Sequence, residues 1–125
     1  MIAIALLLLA AGAPGGAQTP QPLPHIDVTA PKDVTAVQMV NETMAALSRK
    51  VTSCVDAGGA AETCRCKYPP ELAALRKAYD SLAKLRPEWK DQLLSYHYQN
   101  KEGRNISGTL VMQNLRRQLE TITCE

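Results

Sequence analysis

Four cysteines carry the clearest chemical signal in this sequence of 125 residues: Cys54, Cys64, Cys66 and Cys124. In an oxidising compartment, an even number of cysteines is typical of disulfide cross-links. Four cysteines permit three pairings, and a bond between Cys64 and Cys66 would close a very small ring. Each of the other two pairings joins Cys54 to one member of this pair and Cys124 to the other. We favour Cys54–Cys64 with Cys66–Cys124, because the first clamps a helix turn and the second ties back the C-terminal segment.

Two other functions of the same sulfur atoms stay open. A redox-active Cys-x-Cys needs an exposed thiol of low pKa, which the neighbouring Arg65 and Lys67 would favour. The usual redox signature is Cys-x-x-Cys, however, and a four-thiolate zinc site usually has two such pairs, which this chain lacks. There is also no Cys-x-x-Cys-His motif, which excludes covalent attachment of a c-type haem. The spacing therefore favours structural disulfides, with redox or metal handling by Cys64-Arg65-Cys66 as the alternative.

The two histidines, His25 and His97, are the remaining candidates for acid–base chemistry. His97 lies between two tyrosines, and no recognisable spacing supplies the orienting acid and the nucleophile that a general base requires. No phosphate-binding loop, Gly-x-Ser-x-Gly, His-Glu-x-x-His or acidic calcium loop is present in the sequence. We therefore predict no catalytic site, no resident metal and no cofactor.

The N-terminus resembles an export signal. An apolar stretch over residues 2–11 is followed by small residues and proline, and it is too short to cross a bilayer. We place cleavage after residues 15–17, so that the mature chain starts at Gln18; the sequence before Pro14 is a poorer cleavage site. No Lys or Arg precedes Lys32, so the positive start of a signal is missing. Either translation starts upstream, or this stretch is an uncleaved buried helix.

Composition separates three segments: a signal peptide (1–17), a proline-rich extended linker (18–32) and a helical domain (33–125). The linker contains four prolines, which favour an extended, polyproline-like conformation. Its short alternation at residues 26–28 could instead add a strand to a partner's sheet. The formal net charge is +2, and the basic residues occur as scattered pairs interrupted by acids. This pattern argues against capture of nucleic acid.

Two helices are predicted from apolar residues spaced three and four apart. The first begins near Asp33 and ends at Gly58-Gly59, because glycine can adopt the left-handed conformation that closes a helix. The second begins at Pro69-Pro70 and ends at Arg86, since the following proline disfavours helical geometry at that residue. Their predicted buried stripes are Val37, Val40, Met44, Leu47, Val51 and Cys54 in the first helix, and Leu72, Leu75, Tyr79 and Leu82 in the second.

Two further helices are expected in the C-terminal third. The third would run from Pro87 to about Tyr98, although residues 94–98 alternate as a strand does and are rich in aromatics. A polar turn around Gly103 would separate it from a fourth helix with Ser107 as its cap. The apolar stripes here are Trp89, Leu93 and Tyr96, and then Met112, Leu115, Leu119 and Ile122.

These features predict an all-α fold, a small antiparallel bundle of about four helices stapled by two disulfides. The predicted location is the periplasm or the extracellular medium, with no stable membrane span after signal cleavage. The function that best fits a stapled scaffold without catalytic motifs is a non-catalytic binding module. Its expected partner is an envelope or extracellular protein.

Overall fold

The computed structural model describes residues 25–124 and shows helices together with a small sheet in that range. The expected all-α bundle is wrong, because a three-stranded mixed sheet lies beside four α-helices. The predicted signal peptide and residues 18–24 of the linker lie outside the described residues. In chain order the elements are β1 (His25–Asp27), α1 (Pro31–Asp56), α2 (Ala61–Arg65), α3 (Pro69–Leu85), a short 3₁₀-helix (Pro87–Trp89), β2 (Leu93–Gln99), β3 (Asn105–Val111) and α4 (Met112–Thr121).

The long helix α1 follows the predicted apolar stripe. Val37 and Val40 are completely buried and Leu47 is nearly so, while Met44 and Val51 pack partly buried against the same core. Pro31 occupies the first turn, where its missing N–H has no intrahelical partner to lose. The helix ends at Asp56, and Gly58 then adopts φ +102°, a conformation that L side chains rarely adopt.

Helix α3 packs along α1 through the second predicted stripe, and this prediction is confirmed. Leu72, Leu75, Tyr79 and Leu82 are all buried. The helix ends before Arg86, whose backbone (φ −135°, ψ 74°) is outside the helical region, which proline disfavours for the residue before it.

The predicted third helix is wrong beyond its first turn. Only Pro87–Trp89 is helical, and Leu93–Gln99 forms strand β2. Leu94, Tyr96 and Tyr98 are buried whereas His97 and Gln99 are exposed. Burial of every second residue is the period of a strand. Pairing with neighbouring strands therefore outweighed the helical spacing of Trp89, Leu93 and Tyr96.

The predicted start of the fourth helix is also wrong. Asn105–Val111 forms strand β3, so that Ser107 lies within a strand and α4 begins only at Met112. Residues 105–111 include Ile, Thr and Val, which favour strands, and Gly, which disfavours helices. The polar turn appears as predicted: the Asn100 side chain accepts hydrogen bonds from the amides of Glu102 and Arg104, and Gly103 has φ +79°.

The sheet has the order β1-β2-β3, with β1 parallel and β3 antiparallel to β2. Residues 25–27, in the middle of the predicted linker, form β1 within the chain's own sheet, and residues 31–32 already belong to α1. The ladder continues to Val28, whose amide donates to the Ser95 carbonyl at 2.8 Å. One face of the sheet packs against α1 and completes the core. Within residues 25–124, no helix is both long enough and apolar enough to cross a lipid bilayer.

A partly buried ion pair, with a buried carboxylate and a half-exposed guanidinium, joins the start of α1 to the end of α3. Arg86 donates from Nε and Nη2 to the two carboxylate oxygens of Asp33, each at 3.0 Å. Asp33 is 4% exposed and lies in the first turn of α1, where the helix dipole stabilises an anion. The hydrogen bonds that Arg86 donates to the Asp33 carboxylate raise the pKa of the guanidinium. The guanidinium also lies 5.4 Å from the centre of the Trp89 ring.

Replacing Asp33 should destabilise the fold. In Asp33→Ala the guanidinium loses both charge-assisted hydrogen bonds, and we expect the free energy of unfolding to fall by about 2 kcal/mol. Urea unfolding followed by circular dichroism measures this change. The matched control is Glu88→Gln, because Glu88 lies 3.7 Å from the same guanidinium but is largely exposed. Equal losses in the two variants would contradict a special contribution from the Asp33–Arg86 pair.

Candidate functional site

The four cysteines form two disulfides at one end of the molecule. Cys54 pairs with Cys64, with Cα atoms 5.7 Å apart, and Cys66 pairs with Cys124, with Cα atoms 5.4 Å apart. This is the pairing that the sequence favours, and the prediction of disulfide bonds is confirmed. The bonds close loops of 10 and 58 residues, which correspond to about 3 and about 4 kcal/mol in the chain-entropy account.

No cysteine is free in the structure. All four cysteines lie among the described residues, and each one is paired. Cys64 is also completely buried, whereas Cys124 is exposed. In the part of the chain that the structure describes, no cluster of three or more His, Cys, Asp or Glu side chains is placed to hold a metal ion. The two disulfides are consistent with an oxidising, extracytoplasmic environment.

Position 59 requires glycine because its backbone lies against the Cys54–Cys64 disulfide. A Cβ atom at this position would lie 2.5 Å from Cys64 Sγ and 2.9 Å from Cys54 Sγ, closer than real Cβ contacts. From the sequence, both Gly58 and Gly59 were expected to close the helix. The structure separates the two: Gly58 supplies the left-handed backbone, and Gly59 makes room for the sulfur atoms.

An apolar groove of about 490 Å³ runs between α1, α3 and α4. Its volume falls within the range of ligand-binding pockets. The floor is formed by Leu47, Leu75, Leu115 and Leu119, which are buried, so the groove lies directly on the core. Its other lining residues are Met44, Ser48, Val51, Arg65, Gln118, Thr121 and Ile122.

The polar groups of the groove lie at its rim. Arg65 is exposed and is the one charged side chain among the lining residues, so the rim carries a positive charge. Ser48, Gln118 and Thr121 are exposed and can donate or accept hydrogen bonds. An apolar floor with a cationic rim suits a ligand that has an apolar body and an acidic group.

The wall that α4 contributes is fixed by two contacts beyond the helix. The Cys66–Cys124 bond ties the chain just after α4 to the segment between α2 and α3. Arg76 on α3 donates from Nη2 to the carbonyl of Ile122 at 2.8 Å, and a cation is favourable at the C-terminal end of a helix. These contacts hold Ile122 at the edge of the groove.

His97 has a hydroxyl partner that the sequence did not reveal. His97 Nδ1 lies 2.8 Å from Ser107 Oγ, because the two residues are directly opposite each other in β2 and β3. The pair is exposed on the open face of the sheet. Among the described residues no carboxylate contacts His97, and neither His97 nor Ser107 lines the groove. The other histidine, His25, lies 3.5 Å from Asp27 on β1 and is also exposed.

The opposite face of the sheet contains a polar network that the sequence analysis missed. Asn41 on α1 donates from Nδ2 to the Tyr98 hydroxyl at 2.7 Å and accepts from the Tyr96 hydroxyl at 3.0 Å. Burial raises the pKa of the Tyr96 phenol, which keeps the hydroxyl protonated as a donor. The sequence does contain a signal for this network. Asn41 is four residues after Val37 and three before Met44, a spacing that places it on the buried side of α1.

Comparisons with protein-family models, curated proteins and solved structures find no match to this chain. The function must therefore be inferred from the geometry of the groove, the sheet and the disulfides.

Substituting Gly59 should strain the Cys54–Cys64 disulfide, so that it forms incompletely. In Gly59→Ala the added methyl group meets both sulfur atoms of the Cys54–Cys64 bond. We expect a fraction of the purified protein to carry two free thiols and the free energy of unfolding to fall by up to about 3 kcal/mol. Thiol titration and urea unfolding measure the two effects. Gly103→Ala is the control, because it strains a backbone of φ +79° but has open space around its Cβ position and lies far from the disulfides in the sequence; equal thiol release in both variants would refute the steric explanation.

Proposed function

We propose that this protein is exported to the periplasm or the extracellular medium and acts there as a non-catalytic binding module. Its proposed partner is an envelope or extracellular protein, bound in the groove between α1, α3 and α4. The observation that carries the proposal is the apolar floor of this groove beneath a cationic rim. The two disulfides support export, because such bonds persist in oxidising compartments.

The groove favours an amphipathic segment of a partner protein as its occupant. Half-buried apolar side chains, Met44, Val51 and Ile122, border the buried leucines and would contact apolar side chains of the segment. Arg65 would pair with an acidic side chain of the same segment, since it is the one charge on the rim. A short apolar face laid into a groove between helices is a recurrent mode of peptide recognition.

A thiol-disulfide or metal-handling function is the alternative that the sequence left open. It would require Cys64 or Cys66 as a free thiol, and both are paired in the structure. Thiol titration of the native wild-type protein distinguishes the two functions. A binding module stapled by disulfides should release no thiol under native conditions, whereas a rapidly alkylated cysteine would favour the redox function.

The groove can be tested by site-specific photocrosslinking in the native envelope. We expect a photoreactive amino acid at Ser48, on the rim, to give a discrete protein adduct, and one at Glu42, exposed on α1 but outside the groove lining, to give none. The crosslinked partner peptide should contain apolar residues and at least one Asp or Glu. No adduct at Ser48, or equal adducts from both positions, would contradict the proposal.

Charge reversal at the rim provides the matched comparison in the same experiment. Arg65→Glu should lower the adduct yield at Ser48 about fivefold, because an attractive pair with the partner's acid becomes repulsive. Arg49→Glu makes the same change of charge on an exposed residue outside the groove lining and should leave the yield unchanged. If the two reversals act equally, the effect comes from net charge and not from the groove.

A further inference from the structure

Strand β3 is an edge strand whose outer hydrogen-bonding groups have no partner among residues 25–124. The sheet order places β2 on one side of β3 and nothing described on the other. The amide of Asn100 donates to Arg104, and that of Met112 donates to Gln92. In an antiparallel ladder such pairs alternate, so the even-numbered residues of β3 bond to β2. The odd-numbered ones direct their N–H and C=O groups outward: Asn105, Ser107, Thr109 and Val111.

This edge lacks the features that normally prevent strands from pairing with another chain. Residues 105–111 contain no Lys, no other charged residue and no proline. Natural edge strands are usually protected by charges, proline, bulges or a covering segment. A seven-residue edge without charge is therefore a surface suited to addition of another strand.

The side chains of β3 are arranged symmetrically about Gly108. One position away on either side are two hydroxyl residues, Ser107 and Thr109, both exposed. Two positions away are two aliphatic residues, Ile106 and Leu110, which lie on the core side opposite Tyr98 and Leu94. A strand with this symmetry presents the same pattern when it is read in either direction.

We propose that β3 pairs with β3 of a second copy of this chain, antiparallel and across a two-fold axis at Gly108. In this register Ser107 faces Thr109 of the second copy, and Ile106 faces its Leu110. All outward N–H and C=O groups of both strands are satisfied, by about eight main-chain hydrogen bonds. The two three-stranded sheets become one sheet of six strands, with hydroxyl pairs on one face and aliphatic pairs on the other.

Glycine at position 108 allows the two β3 strands to approach closely at the two-fold axis. At the two-fold axis the two Gly108 residues form a non-hydrogen-bonded pair, whose Cα atoms approach to about 4.5 Å. The Tyr96 ring already fills the space where a Cβ would lie, with its hydroxyl 2.7 Å from that position. An unrelated strand would match neither this side-chain symmetry nor the glycine at its centre, and this favours a second copy as the occupant. The inference makes no use of the groove.

Two charge combinations at positions 107 and 109 test the proposed register of the two β3 strands directly. Ser107→Lys with Thr109→Lys places lysines opposite lysines across the axis, whereas Ser107→Lys with Thr109→Glu places lysine opposite glutamate. Both variants lose the His97–Ser107 hydrogen bond equally. Sedimentation velocity over a range of micromolar concentrations should show a dimer for the wild type and for the Lys/Glu variant. The Lys/Lys variant should dissociate at concentrations roughly thirtyfold higher or more.

A second pair of variants covers the possibility that the lysines disturb folding. Thr109→Pro removes an outward N–H without removing a bond to β2, whereas Thr109→Val keeps that N–H. With circular dichroism spectra like that of the wild type, the proline variant should be monomeric and the valine variant dimeric. A wild type that is monomeric at every concentration overturns the proposal, as does a Lys/Lys or proline variant that dimerises as strongly as the wild type.

Discussion

The covalent bond between Cys66 and Cys124 is the constraint on which the proposed binding surface depends. Helix α4 has only ten residues, and isolated helices of that length are marginal in water. Two of its three buried residues, Leu115 and Leu119, form part of the groove floor. The disulfide holds the chain beyond the helix, so that α4 lies beside α1 and α3 and the three helices form the groove.

The long helix α1 is also fixed at both of its ends by contacts with other elements. Asp33 in its first turn bonds to Arg86 at the end of α3, and Cys54 in its last turn is cross-linked to Cys64. A 26-residue helix spans about 39 Å. Fixing both ends aligns the apolar stripe of α1 with that of α3, so the floor of the groove has a defined shape. Charged and covalent contacts therefore set the positions of the helices. Burial of leucine and valine side chains supplies most of the apolar driving force for folding.

The sequence predicted the parts of the fold that depend on local pattern. The stripes of α1 and α3 were recognisable because each alternates three- and four-residue steps between clear start and stop signals. The stretch from Leu93 to Val111 was assigned wrongly because its helical spacing was preferred to its strand signals, the alternation at residues 94–98 and the Ile, Thr and Val of residues 105–111. One stabilising partner of β2 is also distant, since β1 lies more than sixty residues earlier. The groove depends on how three helices pack together, and the Asn41–Tyr96 bond depends on how α1 packs against β2. The spacing of residues along one element does not specify such packing.

Hydrogen exchange of the variant Cys66→Ser with Cys124→Ser tests the central claim most directly. Without this bond, residues 112–121 should lose their protection, while residues 37–51 of α1 and strand β2 stay protected. The variant Cys54→Ser with Cys64→Ser is the control, and it should leave protection of residues 112–121 nearly unchanged. If residues 112–121 keep their full protection without the Cys66–Cys124 bond, then the disulfide does not position α4 and the account is wrong.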